Sequence, residues 1–359
     1  MLYSLVMLRS IFWKPYSHLF IVGDNSGWSI DEDAKALLRI AKDLEISASR
    51  IKRARFNLSQ VVYYTSQFSL NDKNIYKSKH RISVDYYHGK PEQDESFRKC
   101  FDSLKNHRQQ ISRVRVSTKE MERLIKSSGI NSEKVMRIPI GIDTDLFTPQ
   151  TEIKKQEARN KLGIPKDAIV VGSFQKDGVG WNEGNEPKII KGPDIFLEVI
   201  SRLRQSFGGQ AKLWVLLSGP ARGYVKNGLE KLGVPYRHKF LKDFRELPEL
   251  YDALDLYIIT SREEGGPKAC LESMAKGIPL VTTAVGQCKD LVNHNGNAMM
   301  APIDDGESLS KFAKLVIENG ELRNGLINKG FLTAKENNYS AQLPLWKDYF
   351  EGLINDKNS

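Results

Sequence analysis

Two glutamates separated by seven residues, Glu264 and Glu272, stand in the run EEGGPKACLESMAKGIPLVTT. Their neighbours prescribe a turn followed by a helix. Gly265 and Gly266 let a ligand approach the backbone without side-chain obstruction. Pro267 falls where the first helical position is expected, and Gly277 where that helix closes. A helix start presents N–H groups and a positive dipole end, which suit a phosphate. Two carboxylates beside it accept hydrogen bonds from sugar or ribose hydroxyls. The spacing alone equally permits a blander arrangement, with Glu264 capping the helix and Glu272 on its solvated face.

A second group lies upstream in IVVGSFQKDGVGWNEGNEPKIIKGPD, residues 169–194. A strand ends there in a Gly-rich polar loop that carries Lys176 and Lys191. Cations placed there can offset the charge that builds on a phosphate-type leaving group as its bond breaks. His88, in VDYYHGKP, stands at the C-terminal end of an expected parallel strand, where ligands gather in such sheets. Taken alone, a histidine there fits a structural role as well. Gly27, in FIVGDNSGWSID, sits in a turn between a strand and a helix that Ser29 or Asp31 would cap.

Elements that would position these residues alternate along the whole chain. Strand-like runs are expected at 18–22, 61–65, 81–87, 113–117, 135–139, 169–174, 213–218, 256–260 and 280–283. Between them lie amphipathic stretches such as 33–44, 97–111, 194–207 and 308–318. Alternation of this kind predicts α/β architecture, with parallel sheets covered by helices on both faces. A joint is expected at 141–155, where VMRIPI runs through GIDTDLFTP into a charged stretch. The resulting division is a leader at 1–17, a first domain at 18–148, a second at 149–335, and a C-terminal helix within 336–359 packing back on the first.

The run EGGPKACLE resembles the signature of the family-4 type, or group 1, retaining glycosyltransferases, and the flanks LYDALDLYIITS, SMAKGIPLVTTAVGQCKDLV and NGNAMMAPIDDGESL extend the likeness. The resemblance implies a GT-B fold, two Rossmann-like doubly wound domains facing a cleft. It implies that Glu264 meets the donor sugar's hydroxyls, that Glu272 holds the ribose, and that Gly265, Gly266, Pro267 and Lys268 approach the diphosphate. It places Lys191, before Gly192, on the phosphates, and His88 near the reacting centre of the donor sugar. Gly27 becomes a candidate backbone contact to the donor. At one position the sequence departs from the family: Ser173 stands where an arginine is expected, and an insertion of about a dozen residues follows. Lys176 is the available substitute, a point charge without the arginine fork. Asp143 and Asp145 resemble the metal-binding carboxylates of another glycosyltransferase class, but they follow the glycine of the joint and are read as part of it. No metal and no cofactor beyond a nucleotide-sugar co-substrate is expected.

Composition agrees with a folded chain: 359 residues, 40% hydrophobic and 27% charged, enough for two cores. Three widely spaced cysteines argue against a disulfide framework or a zinc site. The apolar run at 1–17 is broken by Arg9, Lys14 and Pro15, short of the roughly 20 residues that a spanning helix needs. A cytoplasmic protein is expected. Of the net charge of +10, residues 1–150 hold +8, with concentrations at Arg50, Lys52, Arg53 and Arg55 and at Lys77, Lys79 and Arg81. That field suits a lipid-linked or anionic glycan acceptor, or peripheral contact with the inner face of an anionic membrane. No nucleic-acid motif accompanies it, so nucleic acid is not an expected partner. The activity implied is transfer of a sugar from a nucleotide donor to a glycan, lipid-linked or small-molecule acceptor. A nucleotide-sugar epimerase and a catalytically degenerate partner in a polysaccharide assembly complex are the rivals.

Overall fold

Six short strands open the computed structural model, which describes residues 18–23, 29–54, 59–77, 79–208 and 213–355. They are β1 (Leu19–Val22), β2 (Ala48–Ile51), β3 (Val61–Tyr64), β4 (Arg81–Tyr86), β5 (Ile111–Val116) and β6 (Val135–Arg137). Their order is β2-β1-β3-β4-β5-β6, and every neighbouring pair is parallel. Parallel neighbours cannot be joined by tight hairpins, so crossovers are required. Helices α1 (Ser29–Asp43), α2 (Glu95–Asn106) and α3 (Lys119–Ser127) supply three of them. The apolar run Val61–Tyr64 is buried throughout, as a strand covered on both faces must be.

The second unit begins at Ile140 and ends at Asn338. Its elements are α4 (Glu152–Leu162), β7 (Ile169–Phe174), α5 (Pro193–Ser206), β8 (Leu213–Ser218), α6 (Gly223–Leu232), β9 (Tyr236–Lys239), α7 (Leu247–Asp252), β10 (Leu256–Ile259), α8 (Ala269–Lys276), β11 (Leu280–Thr283), α9 (Cys288–Leu291), β12 (Met299–Ala301), α10 (Gly306–Glu318) and α11 (Gly320–Glu336). The sheet, again parallel, runs β12-β11-β10-β7-β8-β9. Chain progression therefore reverses between β7 and β10. In open sheets of this kind ligands settle outside the carboxyl ends of the strands at that reversal. Each face of the sheet has its own apolar core, one around Tyr251, Leu254 and Met274, the other around Phe196, Ile200 and Leu217.

The last helix, α12 (Tyr339–Ile354), packs on the first unit. Trp346, Tyr349, Phe350 and Leu353 are buried among Leu19, Ile21, Leu37 and Tyr63. The division by packing falls between Pro139 and Ile140, upstream of the boundary at 148 read from sequence. Hydrogen bonds explain the difference. Ile140 N–H donates to Gln287 Oε1 (3.0 Å), Ile142 bridges to Asn338, and Gln150 Nε2 donates to the carbonyls of Asp252 and Leu254 (2.8 and 3.0 Å). Asp143 Oδ1 accepts the N–H groups of Asp145 and Leu146 (3.1 and 3.2 Å), which ties it into a local turn there. The leader and Gly27 lie outside the described residues. Among those described, no helix is long and apolar enough to cross a membrane.

Candidate active site

The loops that follow β7 and β10, the two strands flanking the reversal, are fastened to each other. Thr260 Oγ1 donates to the Gly192 carbonyl (2.8 Å), and the Arg262 and Glu263 N–H groups donate to the Ile190 carbonyl (2.8 and 3.1 Å). The Arg262 guanidinium grips Asp194 through two parallel bonds of 2.8 and 2.7 Å and reaches Asp304 at 2.6 Å. Gly192 is in the left-handed conformation (φ +62°), and a Cβ there would meet the Thr260 carbonyl oxygen at 1.9 Å. Only glycine fits, and the residue before it is thereby aimed. That residue is Lys191.

Lys191 Nζ donates to Glu264 Oε1 at 2.5 Å, and Ser261 Oγ donates to the same oxygen at 3.0 Å. A cation from one loop and a carboxylate from the other thus meet at the reversal point. The bonds of the Glu264 carboxylate to Lys191 and Ser261, and not a cap on α8, are what the described residues show. Glu272 is not a solvated face residue either: it is 4% exposed, and its Oε2 accepts from the Tyr251 hydroxyl at 2.8 Å. Burial, with this carboxylate adjacent, pushes the Tyr251 phenol well above its ordinary range, so it remains a donor. The two glutamates therefore have separate partners.

Pro267 precedes the helix instead of opening it. The helix starts at Ala269, and the Pro267 carbonyl accepts from Cys270 N–H at 3.0 Å, an i→i+3 turn ahead of the first α-helical bond. That bond also engages one of the N–H groups expected to be available to a phosphate. Gly265 is buried, and a Cβ on Gly266 would meet Ile140 Cδ1 at 2.7 Å. Lys268 lies at the N-cap with its ammonium 5.8 Å from the Phe244 ring. Gly277 ends the helix in the left-handed conformation, as read from sequence.

The insertion after β7 forms an ordered excursion. Gly178 bridges to Pro187, Val179 N–H donates to the Glu186 carbonyl (2.9 Å), and Lys188 N–H donates to the Asp177 carbonyl (2.7 Å). Its far end caps α6: the Gly223 and Tyr224 N–H groups donate to the carbonyls of Glu183 and Gly184 (2.6 and 2.9 Å). Inside the fold Arg222 anchors it. That buried guanidinium lies 2.9 Å from Asp177 Oδ1 and donates to the carbonyls of Ser173 and Ser218 (2.6 and 2.8 Å) and to Ser173 Oγ (3.1 Å). Lys176 does not join Glu264; its ammonium rests 3.8 Å from the centre of the exposed Trp181 ring. Neither Lys188 nor Arg222 was singled out from the sequence. For Lys188 the signal was there, a second lysine three residues before Lys191. Arg222 enters from the loop after the neighbouring strand, which no spacing rule connects to Ser173.

His88 belongs to the other unit. It follows β4, its N–H donates to Gln67 Oε1 (3.3 Å), its carbonyl accepts from Gln67 Nε2 (2.7 Å), and its ring meets Phe97 edge-on at 5.2 Å. Below it in β4, Asp85 is fully buried and accepts from the hydroxyls of Tyr63 (2.5 Å) and Tyr87 (2.7 Å) beside Arg115. Burial pushes the Asp85 carboxyl up to about 6, against the pull of Arg115.

Two Rossmann-like units, each a six-stranded parallel sheet layered with helices, define the GT-B class of fold. A crystal structure of Anabaena Alr3699/HepE in complex with UDP-glucose superposes with a TM-score of 0.72 over 92% of this chain and 97% of that one, at 18% identity. Residues 187–332 match the family model of glycosyl transferases, group 1, so the likeness holds over the stretch that carries both glutamates and Lys191. Among curated relatives, a D-inositol 3-phosphate glycosyltransferase of Corynebacterium aurimucosum is 29% identical over 47% of this chain and 40% of its own length. A lipopolysaccharide core biosynthesis mannosyltransferase, LpsB, of Rhizobium meliloti is 31% identical over 42% and 41%. The matching stretch thus spans under half the length of these two relatives.

Proposed function

We propose that this chain is a glycosyltransferase that moves a hexose from a nucleotide-sugar donor to a glycan, lipid-linked or small-molecule acceptor. The observation that carries this reading is the meeting of Lys191 and Glu264 at the reversal between β7 and β10, at 2.5 Å, within the stretch that matches the family. The UDP-glucose named for the Anabaena structure and the mannosyl transfer named for the Rhizobium protein support a hexosyl donor.

In this reading the donor diphosphate takes Lys191, and its sugar hydroxyls donate to Glu264 in place of the lysine. The bond from sugar C1 to the diphosphate oxygen breaks, and its electron pair stays on that oxygen, where Lys191 offsets the developing charge. The acceptor hydroxyl attacks C1 from the same face, and its proton passes to the leaving phosphate oxygen. Retention of configuration follows from that geometry, which is proposed on the family resemblance. Contact of His88 with the donor sugar, a ribose role for Glu272 and metal independence rest on the same ground.

A thermal-shift panel of UDP-, GDP- and ADP-sugars tests the donor class, because a ligand that binds the folded state raises the midpoint by mass action. One base should stand out, and turnover with that donor should survive excess EDTA. A panel with no shift contradicts the reading. Activity lost with chelator and restored by Mn²⁺ contradicts metal independence. A second reading, a donor-binding partner without turnover, is favoured by Ser173 and by the burial of Arg222; donor binding with no product of any acceptor would support it.

A further inference from the structure

The insertion that ends in Lys191 is fastened by one short segment, residues 221–224. Ala221 is in the left-handed conformation (φ +54°) although it carries a side chain, a strained arrangement that surrounding contacts must hold. Its carbonyl oxygen lies 2.3 Å from where a Cβ on Gly178 or on Gly184 would stand, so both glycines of the insertion close directly on the Ala221 backbone. Gly223 and Tyr224 hold the far end through the carbonyls of Glu183 and Gly184. Between them, Arg222 turns inward to the root.

The Arg222 guanidinium is enclosed. Its Nε lies 2.9 Å from Asp177 Oδ1, and its Nη1 donates to the carbonyls of Ser173, Gln175 and Ser218 (2.6, 3.2 and 2.8 Å). Two of these residues reach on to Lys191. Gln175 Nε2 donates to the Lys191 carbonyl at 3.2 Å. The Asp177 carbonyl accepts the Lys188 N–H (2.7 Å), and the Lys188 carbonyl accepts the Lys191 N–H (2.8 Å). Two routes therefore run from one guanidinium to the residue that meets Glu264. A planar fork serves such a set of acceptors at once, which the point charge of a lysine does not. We infer that Arg222 is a positioning residue for Lys191, acting through Gln175 and Asp177 without touching a ligand. This rests on the donor-binding reading above for the task of Lys191, and on the bond network alone for how Lys191 is held.

Competitive acetylation of the unliganded full chain with acetic anhydride, read by peptide mass spectrometry, tests the positioning without any ligand. Arg222→Lys should raise the labelling of Lys191 severalfold, because its ammonium is no longer aimed at Glu264, while Lys314 on α10 labels as in wild type. Calorimetric titration with UDP, GDP and ADP reads the consequence. Arg222→Lys should weaken the preferred nucleoside diphosphate by roughly tenfold, the size of a lost charge-assisted hydrogen bond. It should add nothing to the loss in a Lys191→Ala background, since both changes act through one contact. Arg222→Met combined with Asp177→Asn repeats both measurements with no buried charge left unpaired, and should show the same two effects. Unchanged labelling of Lys191 in both variants overturns the inference, whatever binds. Faster labelling with unchanged affinity overturns it too, as does a loss that adds in full to that of Lys191→Ala. Faster labelling in a chain whose wild type binds no nucleoside diphosphate upholds the positioning and overturns the nucleotide reading instead.

Discussion

Lys191 and Glu264 are each other's partner, so under the proposed function donor binding would exchange a salt bridge for two ligand contacts. Both are partly exposed, and pairs of that kind contribute on the order of 1 kcal/mol or less to stability. Lys191→Ala should therefore leave the urea midpoint nearly unchanged while weakening donor binding by about tenfold or more. A large stability loss with unchanged affinity would mark the pair as structural. Glu272 is different. Removing its carboxylate takes a charged acceptor from the buried Tyr251 hydroxyl, at a cost of roughly 1–3 kcal/mol, so Glu272→Ala should destabilise as well as weaken donor binding. Glu272→Gln, which keeps an acceptor, separates the two effects. His80 gives a pH signature in the first unit. Its Nδ1 accepts from Gln60 N–H at 3.2 Å, and burial pushes it down to about 4. The unfolded chain takes up a proton below about 6.5 and the folded chain only near 4, so stability is lost as pH falls through that window. His80→Asn should flatten that part of the urea-midpoint profile, and an unchanged slope would contradict the assignment. At this scale the glutamates and Lys191 were legible because a motif fixes their spacing. The enclosure of Glu272, the diversion of Lys176 to Trp181 and the place of Lys188 were not, since each depends on a neighbour brought in by another element.

Among the elements, three strands of mainly apolar character, β7, β8 and β11, coincide with their expected limits. Three strands escaped notice, β2, β9 and β12, and all are sheet edges. ASRI and YRHK carry charge, and MMA has three residues, the habits of edge strands that must not pair further. The expected helix at 97–111 overran, because Ile111 belongs to β5 and the helix stops at Asn106. The excursion at 175–191 was legible as an insertion but not as a fastened one, since its anchors are the buried Arg222 and backbone carbonyls on the α6 N-terminus, all met through another element. Gly192 is where this element is most sensitive. Gly192→Ala combines a left-handed alanine with a Cβ 1.9 Å from a carbonyl oxygen, and should destabilise by roughly 2 kcal/mol or more. It should also displace Lys191 and reduce donor affinity; a stable variant with unchanged affinity would show that the turn does not aim the lysine.

On the scale of the whole molecule, charge is unevenly spread. Residues 1–150 carry +8 of the net +10, and each basic residue near an anionic bilayer contributes on the order of 1 kcal/mol, screened beyond about 8 Å at physiological salt. Co-sedimentation with vesicles containing phosphatidylglycerol should therefore exceed that with neutral vesicles and fade as salt rises; binding indifferent to both would contradict an electrostatic attachment. The reversal between β7 and β10 was not deducible from the order of strands in the sequence, yet it is what brings the residue-191 and residue-264 loops together. The most direct test of that convergence is product formation by wild type, Lys191→Ala and Glu264→Gln with the donor selected by thermal shift, followed by mass spectrometry of the glycosylated acceptor and of the released nucleoside diphosphate. Wild type should release diphosphate and glycosylated acceptor in equal amounts. Each variant should lose at least about 100-fold in turnover, as expected when a group that stabilises developing charge or holds the reacting sugar is removed. Variants that transfer sugar at the wild-type rate would contradict an active site built on Lys191 and Glu264.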